Sequence, residues 1–559
     1  MRRAIVGSIL FSVLIGLAAC SEPLVPGAPT LQPTATRTSI PNVLPTGIPP
    51  AASPAAPKTA EVRVIQSRDA VSFHPFLAVD DASVAFQRLV YAGGLWTRDP
   101  QTLQPVPNMA ESWTVSQDAK TYTFKLRQDM KWSDGEPITA DDFQWTFDQA
   151  SKPGNKYPYL ENFKDIVFYK AKDDYTIQVI LKDATCVGLI TADAVTPLPQ
   201  HIWEKLDWSN PSKNPEIQSP TVVSGPFRLK EWKKGDHATF GRNDTYFRGR
   251  PLIGPYTVQI VADPALALQM LKGGDVDSAP VGIESFREIS QTNSLKVYTW
   301  TPAEETWDYV GFNLRRPFVQ DADVRHALSY AVPRQAMADQ VLAGLAEPTY
   351  SAYPPTSGVY NPGVPRYDYN LETAKAILQN AGYTSDANRR LLDKAGVPVK
   401  LKIVYNSGNL QRQQMAAMIR QEFAKLGIDL QVVELEFQAY LDYLKKAPFD
   451  YDLYLLSWRA PVDPYFLYQV WSEANIPILN PGGYINKDIE RLYEASNHPP
   501  CDADSRKKVF QKIRSILSND SPYVFLTSRR GFAFLNPRVV PNEPSRLGID
   551  YRLEKWSLR

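Results

Sequence analysis

An α/β fold class is predicted by three features of the 559-residue chain. Residues 401–405 (LKIVY) read as a strand, 410–426 as an amphipathic helix stopped by Gly427, and 428–435 (IDLQVVEL) as a second strand. Such a β–α–β unit calls for a parallel pair joined by a right-handed crossover. Strand-like alternation and capped helices recur along the chain, with no repeat of fixed period. Composition agrees: 43% hydrophobic and 22% charged residues suit a large globular protein, of roughly three domains by length.

From the amino end, residues 61–66 (EVRVIQ) form a short strand with Val62 and Val64 on one face. Residues 120–127 (KTYTFKLR) alternate clearly, with Tyr122, Phe124 and Leu126 on one side and Thr121, Thr123, Lys125 and Arg127 on the other. Ser133-Asp134-Gly135 is turn chemistry, since glycine takes positive φ at no steric cost. Thr139-Ala140-Asp141-Asp142 is a near capping box, and Phe143, Phe147 and Ala150 mark the inner face of the helix it opens. Turn and cap account for Asp134, Glu136, Asp141 and Asp142, and no accompanying site residue supports a catalytic carboxylate pair there. Asp263-Pro264 joins an N-cap to a proline at the first helical position, and Gly273-Gly274 closes that helix. Asp323 starts a helix with Val324, Ala327, Leu328 and Ala331 inward, and Asn370 caps another that ends at Gly382. Residues 451–458 (YDLYLLSW) read as a further strand.

The 61 basic and 60 acidic residues give a formal charge of +1, and no basic excess points to nucleic acid. The amino terminus carries an address. Arg2 and Arg3 precede an apolar run over 4–19 that ends LAAC at Cys20, and the run is too short for a spanning helix. It resembles the lipobox of bacterial lipoproteins, in which residues 1–19 are a signal peptide and Cys20 is acylated after cleavage. Losing Arg2 and Arg3 takes the charge from +1 to −1. Residues 21–60 hold ten prolines among Ala, Thr, Ser and Gly, so 20–60 reads as a lipidated cysteine followed by an extended tether. The exported compartment permits a disulfide, and Cys186 and Cys501 read either as a pair or as separate buried thiols.

Six blocks stand in one order: 108–143 (NMAESWTVSQDAKTYTFKLRQDMKWSDGEPITADDF), 224–247 (SGPFRLKEWKKGDHATFGRNDTYF), 263–277 (DPALALQMLKGGDVD), 311–334 (GFNLRRPFVQDADVRHALSYAVPR), 369–383 (YNLETAKAILQNAGY) and 482–496 (GGYINKDIERLYEAS). Together they resemble family 5 extracellular solute-binding proteins, the oligopeptide, dipeptide and nickel receptors of bacterial ABC importers. The resemblance implies a two-lobed periplasmic-binding-protein-like fold (type II, large cluster) with an extra subdomain inserted in the first lobe. Lobe one is expected at 61–95, 224–310 and 521–559, the inserted subdomain at 96–223 and lobe two at 311–520, with hinges at 311–313 and near Ser521. The implied function is capture of a peptide-like solute between the lobes and delivery to an ABC permease and ATPase. The implied protein is a monomer, lipid-anchored outside the cytoplasm, without nucleic-acid partner or cofactor. Oligosaccharide or another polar or anionic solute, a metal chelate, and sensing rather than import, are the alternatives.

The same resemblance turns Tyr309, Phe312, Asn313, Trp458 and Tyr484 toward the cleft, together with the loop SWRAPVDPYF over 457–466. In peptide receptors of the family this loop offers an aspartate to the ligand's α-ammonium. Here its only acid, Asp463, precedes Pro464 and fits a turn or cap, while Arg459 stands nearer the expected place and suits an anion. The five histidines are scattered, and no His-Glu-x-x-His, Gly-x-Ser-x-Gly, P-loop or Gly-x-Gly-x-x-Gly occurs, which leaves neither an enzyme nor a direct metal site supported.

Overall fold

The computed structural model describes residues 61–155, 157–292, 294–353 and 355–559, so the expected signal peptide, Cys20 and the tether lie outside the described residues. In the first lobe, Phe227–Lys233, His237–Arg242 and Tyr256–Ile260 run antiparallel, and Val62–Gln66 joins Tyr256–Ile260 in parallel with Val62 opposite Tyr256. Both faces of this strand are covered: Val62 enters the main core and Ile65 packs with Ala267 and Leu271 of the helix Pro264–Gly273. That helix starts on Asp263, whose side chain accepts the Ala265 N–H, and stops at Gly274 with φ of 80°, a left-handed position that glycine takes freely.

The inserted segment carries a four-stranded antiparallel sheet in the order Ala110–Val115, Thr121–Leu126, Thr176–Leu181, Ile166–Asp173. Tyr122, Phe124 and Leu126 are buried, as their alternation requires, and each contributes roughly 1.5–3 kcal/mol when fully buried. They share one continuous core with Val62, Phe227 and Tyr256 of the first lobe, so the insert is fused to that lobe. Thr139 and Asp142 form the capping box of the helix Ala140–Ala150. Asp142 also accepts hydrogen bonds from Trp132 Nε1 (3.2 Å) and the Gln200 N–H (2.9 Å), and burial pushes its carboxyl upward. Asp134 meets His201 Nε2 at 2.8 Å. Acids at this corner tie backbone together.

The second lobe is built on a six-stranded sheet in the order Ala346–Pro348, Tyr523–Arg529, Thr306–Phe312, Leu453–Arg459, Lys400–Asn406, Asp429–Leu435. Lys400–Asn406 and Asp429–Leu435 are parallel, with the helix Leu410–Lys425 between them in sequence. One helix begins earlier than expected. Asp321, not Asp323, is the N-cap of Ala322–Tyr330, because its side chain accepts the Asp323 N–H while Asp323 sits in the first turn.

The lobe boundaries also move. Thr306–Phe312 and Tyr523–Arg529 are neighbours inside the second lobe's sheet, whereas Lys296–Trp300 pairs antiparallel with Gly531–Leu535 on the first lobe's side. The chain therefore crosses at residues 301–305 and at Arg530, rather than at 311–313 and Ser521. Those expected hinge residues are held within packed structure: Phe312 and Ser521 are 1% and 3% exposed.

Candidate functional site

Between the lobes lies a cavity of about 730 Å³. One wall comes from the first lobe and its insert: Trp96 and Arg98 on the strand Trp96–Arg98, the loop to Pro105, the turn of helix at Leu189 and Ile190, and Arg546. The facing wall comes from the second lobe: residues 352–353 and 356–359, the 460–464 loop after Leu453–Arg459, and Arg506 and Phe510 on the helix Ala503–Asp520. Ala303, on a crossover, lines it as well. A larger depression of about 920 Å³ opens on the outer face of the second lobe between Lys487–Ser496 and Ala503–Asp520. It draws no residue from the first lobe, so movement of the lobes cannot close it.

Charge in the cavity is unevenly committed. Asp463 Oδ1 accepts the Tyr465 N–H at 3.0 Å and caps the short helix Pro464–Leu467. Both of its oxygens also accept from Arg506, at 2.8 Å each, and both side chains of this pair are about 15% exposed or less. Arg506 Nε is in turn tied to the Ser496 carbonyl at 2.9 Å. A carboxylate held bidentately by a guanidinium and spent on a cap is not offered to an ammonium group. Arg98 donates from Nη1 to the Leu103 carbonyl (2.9 Å) and lies 5.2 Å from the Trp96 ring centre. Burial lowers its pKa, partly offset by Asp463 and Glu304. Arg546 has a buried Nε without a hydrogen-bond partner, and its Nη1 reaches the Thr356 carbonyl only at 3.4 Å. Guanidinium capacity thus remains in the cavity after its one acid is paired.

Of the seven residues expected at the cleft, only Asp463 lies on the cavity wall. Tyr309 is 2% exposed and stacks on Tyr523 with ring centres 4.3 Å apart. Trp458 and Tyr484 share its aromatic core, Tyr484 donating to Asp520 Oδ2 at 2.5 Å. Phe312 points to the opposite face of the sheet, into an aliphatic core with Leu453 and Val524. Asn313 is fully buried, its Nδ2 donating to the carbonyls of Phe449 (3.0 Å) and Tyr451 (2.8 Å). Arg459 is exposed and faces Glu304 at 3.9 Å. For Tyr309, Phe312 and Trp458 the physical reason is shared: strands central to a sheet covered on both faces send their side chains into packing.

Sequence reasoning missed Arg98, Arg546 and residues 352–353 and 356–359, which carry no motif and meet only through the fold. His74 is no ligand either. It is fully buried, its Nε2–H donates to the Trp208 carbonyl at 2.9 Å, and its Nδ1 accepts the Phe76 N–H at 3.2 Å. Within the second lobe's sheet, Asp308 is held by Arg529 (2.7 and 2.8 Å), Ser457 (2.6 Å) and Thr527 (2.9 Å). Burial works to raise its carboxyl, but Arg529 and the hydroxyls outweigh that and leave it below the usual range. Among the described residues, no helix is long and apolar enough to cross a membrane.

The family described as bacterial extracellular solute-binding proteins, family 5 Middle, matches residues 104–477. The chain is 27% identical over 496 residues to the oligopeptide-binding protein AppA of Bacillus subtilis (strain 168), covering 87% of this chain and 89% of that protein. It is also 27% identical over 365 residues to the nickel-binding periplasmic protein of Escherichia coli (strain K12), covering 64% of this chain and 68% of that one. The solved structure of AppA from Bacillus subtilis in complex with a nonapeptide matches with a TM-score of 0.67 at 26% identity, covering 89% of this chain and 99% of the other.

Proposed function

The chain belongs to the bacterial extracellular solute-binding proteins of family 5, and from that premise we propose that it captures a peptide-like solute between its lobes and passes it to the permease of an ABC importer. The observation that carries this reading is the cavity of about 730 Å³ walled by both lobes, a size suited to a small ligand. Half-buried Trp96 supplies flat apolar surface, and Arg98 and Arg546 supply donors matched to a carboxylate. The solute's acidic end therefore meets the guanidiniums, while its amino end is not held by Asp463. Solute gripped by both walls favours the closed arrangement by the difference of its affinities for closed and open forms. No bond is made or broken.

Cys20 anchors the receptor through lipid on the outer side of the membrane, and the proline-rich segment after it gives reach. Replacing Cys20 with serine is expected to move the protein from the membrane fraction to the soluble one. The solute class is tested by thermal shift with a mixture of tripeptides, the same tripeptides as carboxyl-terminal amides, and an oligosaccharide. Free tripeptides at about 100 times Kd are expected to stabilise by about 2.7 kcal/mol, and the amides by much less. Stabilisation by the oligosaccharide alone would overturn the peptide reading.

A further inference from the structure

Cys186 follows the strand Thr176–Leu181 in the insert, and Cys501 precedes the second-lobe helix Ala503–Asp520. The two form a disulfide across 315 residues of sequence, with Cα atoms 5.0 Å apart. A seam of hydrogen bonds joins the same two lobes beside it. The Cys186 N–H donates to the Asn497 carbonyl (2.9 Å), Thr185 Oγ1 to Asn497 Oδ1 (2.6 Å) and the Val187 N–H to the same Oδ1 (3.3 Å). Both cysteines line the interlobe cavity, whose wall runs on to Ala303 and Arg546 near the crossovers.

Three covalent connections therefore link the lobes: the two crossovers and this bond. The crossovers continue paired strands on either side, Lys296–Trp300 with Gly531–Leu535 and Thr306–Phe312 with Tyr523–Arg529. Running side by side, they act as one ribbon, about which the lobes can swing. A covalent bond from the insert to the second lobe, set in the wall of the cavity between them, limits that swing. We propose that Cys186–Cys501 is a redox-sensitive clasp that sets how far the cavity opens, narrow when oxidised and wide when reduced. This goes beyond solute capture and holds whatever the solute is.

The chemistry is thiol–disulfide exchange with a dithiol. Cys501 is exposed and Cys186 half-buried, so an attacking thiolate has access. One thiolate of the dithiol attacks and forms a mixed disulfide, and its second thiolate then closes the reductant's own disulfide. The dithiol loses two electrons, the cysteine S–S bond is reduced, and two protons end on the freed Cys186 and Cys501 sulfurs.

Hydrogen exchange on the purified full chain, before and after dithiothreitol, tests the clasp. Alkylation read by mass counts free thiols in each sample. After reduction, residues 96–105, 352–353 and 356–359, cavity walls remote in sequence from both cysteines, are expected to exchange about ten-fold faster. The strand Lys400–Asn406 is expected to stay unchanged, and the double variant Cys186→Ser with Cys501→Ser to match the reduced protein. Equal wall exchange in oxidised, reduced and double-variant protein would overturn the proposal. So would labelling of both cysteines before any reductant, or faster exchange of Lys400–Asn406 as well, which would make the bond a staple of the whole fold.

Discussion

Replacing Asp463 with alanine removes two supports at once, and their sizes follow from the geometry. The side chain caps Pro464–Leu467 through the Tyr465 N–H at 3.0 Å, and losing such a cap costs about 1 kcal/mol. It also takes two 2.8 Å bonds from Arg506, in a pair whose members are 14% and 15% exposed. Breaking a buried pair by removing one partner costs about 3–5 kcal/mol, and slight exposure moves this one toward the lower end. We expect Asp463→Ala to lose about 3–5 kcal/mol in all. Asp463→Asn should recover about 1 kcal/mol of that loss, because asparagine caps as well as aspartate. Urea denaturation followed by tryptophan fluorescence reads both. An alanine variant within about 0.5 kcal/mol of the parent would refute the reasoning and return Asp463 to the role of ammonium partner.

Other expectations follow from single contacts. A Cβ at Gly311 would overlap the Tyr454 ring, whereas one at Gly154 meets nothing within 4 Å. Gly311→Ala should therefore lose about 1–3 kcal/mol and Gly154→Ala almost nothing, by the same denaturation assay. His74 is buried neutral, its pKa lowered from 6.5 to about 4 chiefly by burial. Between those values the unfolded chain binds a proton that the folded one does not. Its contribution is thus present above pH 6.5 and lost as pH falls toward 4, by about 3 kcal/mol in total. His74→Gln should flatten that part of the stability–pH curve, and superimposable curves would contradict the assignment.

Local chemistry carried much of the fold in advance. Asp263, Asn370 and Thr139 cap helices where their spacing places them, because a cap is decided within four residues. Tyr122, Phe124 and Leu126 are buried because alternation reports a half-covered sheet. The strand Thr306–Phe312 was harder to place. Its residues from Trp307 on are all buried, so no alternation marks which lobe owns it, and only its pairing with Leu453–Arg459 and Tyr523–Arg529 does. The site was least legible. Arg98 and Arg546 are 448 positions apart by their numbers and face one cavity only after the chain has returned through both lobes. Aromatic residues near the crossovers looked like cleft walls, yet Tyr309 and Trp458 are the second lobe's core. Cys186 and Cys501 carried no spacing signal, and it is the fold that brings them together.

Solute capture in the interlobe cavity is expected to depend on Arg98 and Arg546 of the first-lobe wall. Native mass spectrometry of the purified full chain tests that dependence most directly, run before and after denaturation alongside an Arg98→Ala, Arg546→Ala double variant of equal thermal stability. The expected result is a series of peptide masses released from the parent and none from the double variant. The same masses released from both proteins would contradict it.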